Sequence, residues 1–168
     1  MKTIYHKYCN DIQNPALGAY IIATFVKNFK EQSKQCPTII DIFLILPLII
    51  VESTRKLING EHNIRKMKSF YKELKNTSSK KDNIAMGISL SSIKNYKEYT
   101  MCSLIFALET SLVKFNENYD IDMLNYKEYN NEKNRELKEI FDASKNIGKL
   151  YAKDYDTKQL LSELGVYL

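Results

Sequence analysis

The chain has 168 residues, 44% hydrophobic and 27% charged, an ordinary globular composition that excludes wholesale disorder and a membrane-embedded protein. Its 25 basic residues outnumber 20 acidic ones for a formal charge of +5, a surplus too modest to mark a DNA-binding protein by itself. This length encloses one core, so residues 1–168 read as a single domain.

Residues 1–13 form a polar N-terminal segment without the apolar stretch of a signal peptide, and Cys9, Cys36 and Cys102 are odd in number and widely spaced. Both features predict a reducing, cytoplasmic setting and argue against a disulfide framework. Asn14-Pro15 is a helix start: the Asn side chain satisfies an orphan amide, and Pro at the first helical position surrenders an N–H that has no partner. A helix from about Pro15 to Ser33 follows. Gly18, Ile22, Phe25, Val26 and Phe29 fall at helical spacing, with Leu17, Tyr20, Ile21 and Thr24 widening the apolar surface. The unexpected residue is Gly18, which costs about 1 kcal/mol against Ala inside a helix and so implies that something comes close to it.

After the connector at Cys36-Pro37, the run Ile39 to Val51 is almost wholly apolar but interrupted by Asp41 and Pro47. It is too short for a bilayer, which takes about 20 apolar residues. It reads as a buried helix, with a strand over Ile39 to Leu46 as the alternative, and Pro47 predicts either a kink after which the helix resumes or a restart at that residue. Asn59-Gly60 ends the element. An amphipathic helix over "EHNIRKMKSFYKELKN", a polar loop at Thr77 to Asp82 and a weaker helical pattern over "NIAMGISLSSIKNYKEY" come next. In "TMCSLIFALETSLVKF", Met101, Leu104, Ile105, Leu108 and Leu112 form a helical stripe.

The period then changes. Val113 and Phe115, followed by Ile121 and Met123, alternate on either side of a polar tip at Asn116 to Asp120, so residues 113–126 predict a β-hairpin. The order helix, helix, hairpin resembles the core of a winged-helix domain. Residues 134–165 predict two C-terminal helices. The first carries a stripe of Leu137, Ile140, Phe141, Ser144, Ile147 and Tyr151, and the second is capped by Asp156 or Thr157 and closed by Gly165. The fold class is therefore mainly α with one small hairpin.

Residues for chemistry are scarce. His6 and His62 are the only imidazoles, both in polar stretches, so a nucleophilic triad has little to work with. Asp120 and Asp122 share one side of a strand, yet acids beside a hairpin tip more often shape the turn. No phosphate-cradling glycine loop and no zinc-hydrolase motif is present. Neither cofactor nor metal is expected, and no catalytic residue. The cations at Lys27, Lys30, Lys34, Arg55, Lys56, Arg65, Lys66, Lys68 and Lys80-Lys81 are spread as on a solvated face. Twelve tyrosines, seven of them at Tyr96, Tyr99, Tyr126, Tyr129, Tyr151, Tyr155 and Tyr167, suit either amphipathic filling or a partner surface.

Landmarks recur in order along the chain: Asn14, Pro15, Ala16, Leu17 and Gly18; then Leu46, Pro47 and Leu48 with Thr54 and Arg55; finally Leu164, Gly165 and Val166. This set resembles the middle component of bacterial three-component ABC systems, from which the chain departs in having no Trp and in carrying Tyr167 near its end. The resemblance implies a small non-catalytic subunit coupling an SMC-like ABC ATPase to a third effector component, in defence against phage or other mobile elements. Asn14, Pro15, Gly18, Pro47, Thr54, Arg55 and Gly165 are its motif residues, structural or at an interface. The alternative is a winged-helix-like nucleic-acid binder. The helix before the hairpin, however, lacks the Arg, Lys, Asn or Gln that reads a groove, and the wing is acidic.

Overall fold

The computed structural model describes residues 14–60, 67, 69, 70, 72, 73, 95–127, 134–153, 156 and 158. Helix α1 spans Pro15–Ser33, α2 Ile39–Ile50, α3 Glu52–Ile58 and α4 Lys97–Glu109; strands β1 (Val113–Phe115) and β2 (Ile121–Met123) follow, then α5 (Arg135–Lys153). The described residues are mainly helical, with one two-stranded antiparallel hairpin among them. No helix among the described residues is long and apolar enough to cross a membrane.

Helix α1 starts and stops where the sequence says it should. Asn14 Oδ1 accepts the Ala16 N–H at 2.9 Å, Pro15 occupies the first turn, and Lys34 closes the helix in a left-handed conformation with its N–H on the Lys30 carbonyl. Residues on nearly all sides of α1 are buried because α5 and α4 pack on two of its flanks and α2 and β2 lie against it as well. Phe25, Phe29 and the fully buried Tyr151 of α5 form an aromatic cluster at its centre. Two sequence-distant hydroxyls tie polar atoms into this core: Ser144 donates to the Ile21 carbonyl at 2.8 Å, and Tyr151 donates to Asp41 Oδ1 at 2.7 Å.

Helix α2, not a strand, fills the apolar run. Its first turn carries a capping box in which Thr38 and Asp41 satisfy each other's backbone amides. Asp41, an apparent interruption of the apolar pattern, is fully buried and accepts from Thr38 and Tyr151 together. The restart expected at Pro47 falls instead at Val51. The helix passes through Pro47 to Ile50, and Val51, at ψ 121°, leaves helical geometry before α3 begins at Glu52. Proline withholds one hydrogen bond without forcing the chain to stop at its own position; the break follows four residues later, where the Val51 N–H still reaches the Pro47 carbonyl at 3.1 Å.

The hairpin has the expected strands, with Val113 opposite Met123 and Phe115 opposite Ile121. It is fastened to the connector before α2, since the Ile121 N–H donates to the Pro37 carbonyl at 2.8 Å. Asp156 Oδ1 accepts the Lys158 N–H at 2.9 Å, the bond of a capping residue. The expected helix over "EHNIRKMKSFYKELKN" lies outside the described residues apart from a few positions, of which Met67 and Phe70 are helical and buried. The expected loop at Thr77 to Asp82, most of "NIAMGISLSSIKNYKEY", the segment 1–13, His6, His62, Cys9 and Gly165 with most of the expected final helix also lie outside them.

Candidate interaction surface

Most motif residues turn inward. Gly18 sits where a Cβ would lie 2.0 Å from Ser103 Oγ, 2.6 Å from Ser103 Cβ and 2.8 Å from the Tyr99 hydroxyl. The close neighbour is thus the flank of α4. The small residues Thr100, Ser103 and Ala107, buried with Tyr99 and Leu104, make that approach possible. The Tyr99 hydroxyl donates to the Asn14 carbonyl at 3.4 Å, and burial pushes its pKa well above the ordinary phenol value. Gly148 plays the same part on the other flank, because a Cβ there would stand 2.9 Å from the Phe25 carbonyl oxygen.

Thr54 and Arg55 repair the break at Val51. When a helix ends, its last carbonyls lose their partners, and here the bend leaves those of Leu48, Ile49 and Ile50 without amides. The Thr54 hydroxyl donates to the Leu48 carbonyl and, at 2.9 Å, to that of Val51. Arg55 Nη1 donates to Ile50 at 2.9 Å and to Ile49 at 3.5 Å. Arg55 is only 4% exposed, so the solvated face expected for it is corrected: its charge is held in the interior by the negative C-terminal end of α2. Glu136, 3.8 Å from Nη2, adds an acidic partner from α5. Pro47, Thr54 and Arg55 therefore act as one device that bends the apolar run and seals the bend.

The surface is built elsewhere, by residues without a motif. The stripe expected on α4 is divided: Leu104 is buried, as is Leu112 beyond the helix, Leu108 is half-buried, but Met101 and Ile105 are 44% and 45% exposed. The contact with Gly18 selects a flank of small and hydroxylated side chains, and the larger aliphatics are left on the outside. The hairpin likewise holds apolar groups outward. Phe115 and Leu124 are exposed, as are Ile39 and Ile40 just beyond the Pro37 anchor, and Tyr119 at the tip is 79% exposed.

That tip is braced. Asn116 Oδ1 accepts the N–H groups of Asn118 and Asp120 at 2.9 and 3.0 Å, and the Tyr119 N–H reaches the Asn116 carbonyl at 3.0 Å. Tyr119 has φ 63°, a left-handed conformation in which non-glycine residues are uncommon. Of the tyrosines suited to a partner surface, Tyr99 and Tyr151 are buried and Tyr96 and Tyr126 half-buried, while Tyr129, Tyr155 and Tyr167 lie outside the described residues. The most exposed of the described tyrosines, Tyr119, was distinguishable in sequence only by its place in the turn.

Asp120 and Asp122 part company. Asp122 pairs with Lys30 Nζ at 2.6 Å, which ties the hairpin to α1. Burial works against the Asp122 charge, but the Lys30 hydrogen bond, the Met123 N–H and the ammonium charge together hold its pKa below the ordinary carboxylate value. The hydrogen bond to Asp122 raises that of Lys30. Burial, with the Asp122 charge nearby, pushes the half-buried Cys36 thiol up, toward the unreactive protonated form. Among the described residues no group of three or more His, Cys, Asp or Glu is placed to hold a metal ion.

No curated protein and no solved structure matches the chain. A family model does: the one described as ABC-three component (ABC-3C) system Middle Component 3 matches residues 4–168, and the chain belongs to that family.

Proposed function

We propose that the protein is a non-catalytic adaptor that couples an SMC-like ABC ATPase to a third effector component, in defence against phage or other mobile elements. Membership in a family of middle components implies partner proteins. The observation that supports this reading is the hairpin, which presents Phe115 at the end of β1 and Tyr119 on a turn fixed by Asn116. Rigid, exposed aromatics are the usual anchors of protein interfaces, since they contribute contact area at little cost in entropy. Contact with the ATPase is assigned to this hairpin and to Ile39 and Ile40 beside its anchor.

Groove reading of nucleic acid is not the function proposed. The exposed row of α4 carries Met101 and Ile105, and the wing carries Glu117 and Asp120, which a phosphate backbone would repel.

Co-expression with the SMC-like ABC ATPase proposed as its partner, taken from the same genome, tests the reading. A complex is expected to co-purify, and Tyr119→Ala with Phe115→Ala is expected to weaken it at least tenfold in a titration by interferometry. A folded chain that ignores that ATPase at high micromolar concentration would overturn the proposal.

A further inference from the structure

The outer row of α4 reads Lys97, Met101, Ile105, Glu109, four residues spaced by four and all exposed. Such a row forms one continuous ridge of the helix surface, the kind that packs into the groove of another helix. Cys102, exposed, and Leu108, half-buried, flank it.

Two features of this ridge are unfavourable for an isolated helix. It leaves two large aliphatic side chains in water while Thr100 and Ser103 are buried on the opposite flank. Its charges are also at the wrong ends: a cation near the N-terminus and an anion at the C-terminus each oppose the helix dipole. Neither Lys97 nor Glu109 makes an ion pair with a described residue.

Both features vanish if the ridge meets a copy of itself. Ser103 lies midway between Met101 and Ile105, and also midway between Lys97 and Glu109. A two-fold axis at the level of Ser103 therefore places each Met101 opposite the second copy's Ile105, and each Lys97 opposite the second copy's Glu109. An isologous interface demands this self-complementarity, and an antiparallel pair of helices also sets each dipole against the other.

We infer that the protein pairs with a second copy of itself through antiparallel contact of α4 along the Lys97, Met101, Ile105 and Glu109 ridge. The inference stands independently of the hairpin's assignment to the ATPase and leaves the hairpin free for it. It adds a two-fold arrangement to the adaptor, which would then present its partner surfaces in pairs.

Sedimentation velocity of the full chain, from about 1 to 200 µM, tests it. The expected result is a concentration-dependent species of twice the 19.6 kDa chain mass. Met101→Ser with Ile105→Ser is expected to leave a monomer with an unchanged circular dichroism spectrum. Lys97→Glu is expected to raise the dimer dissociation constant about tenfold, and Lys97→Glu combined with Glu109→Lys to restore it, because the swap re-pairs the charges across the axis. A wild-type chain that stays monomeric throughout would overturn the inference, including the case in which the ridge is instead covered by the ATPase. So would a dimer indifferent to the serine substitutions, or a charge swap that fails to restore what Lys97→Glu removes.

Discussion

The bend between α2 and α3 and the outer face of α4 use the same kinds of residue in opposite ways. At the bend an arginine, ordinarily a surface residue, is buried so that it satisfies the Ile49 and Ile50 carbonyls, while Thr54 satisfies that of Leu48. On α4 a methionine and an isoleucine, ordinarily core residues, are held outside because the inner flank must be small enough to approach Gly18. In this chain, then, Gly18, Pro47, Thr54 and Arg55 build the frame, whereas the exposed apolar groups are residues with no motif of their own.

Substitutions at the bend should be the costliest. Arg55→Ala removes the donor to Ile49 and Ile50 and empties the space of a buried side chain; about 3 kcal/mol of stability is expected to go, measured as a lower denaturation midpoint. A loss under about 0.5 kcal/mol would mean that the bend does not need its seal. Next comes Gly18→Ala. Rotating Ser103 relieves the contact with its Oγ, but not the 2.6 Å contact with its Cβ. The helices must therefore separate, at a cost of about 2 kcal/mol that exceeds the gain in helix propensity. Chemical denaturation decides the sign, since a stabilised variant would show that α4 does not press on Gly18.

A smaller effect is expected between hairpin and helix. Asp122→Asn removes a partly exposed ion pair worth less than about 1 kcal/mol. Because the folded pKa of Asp122 is lowered, its contribution is complete above the ordinary carboxylate range and disappears as pH falls through the folded value. Because that of Lys30 is raised, its share is complete below the ordinary lysine value and is lost as pH rises through the folded one. Wild type and variant should thus differ in melting temperature near neutral pH and converge in acid. Least of all should Met101→Ser with Ile105→Ser change the stability of the isolated chain, by no more than about 0.5 kcal/mol. A large loss would place these side chains in the core and erase the contrast with the bend.

Much of the frame was legible in the residues. Asn14-Pro15 set the start of α1, the change from a helical to an alternating period at Val113 located the hairpin, and the stripe from Ile140 to Tyr151 identified the buried face of α5. Local chemistry decides such features: a cap, a missing amide and a side-chain period act within a turn or two of chain. The outward residues were less legible, because Met101 and Ile105 belong to the same apolar pattern as Leu104, and periodicity cannot say which of two apolar flanks faces inward.

Side-chain period and capping residues were enough to make the described residues mainly helical with a hairpin at Val113 to Met123, and the ordered landmarks pointed to the family to which the chain belongs. What the landmarks do, and which apolar groups face outward, depends on packing. The duty of Gly18 depends on Ser103, and that of Arg55 on carbonyls freed by a break at Val51. Tyr151 is buried because Asp41 lies across the core from it. Each of these pairings joins atoms that meet only after the helices pack, and burial is a property of the neighbour as much as of the residue.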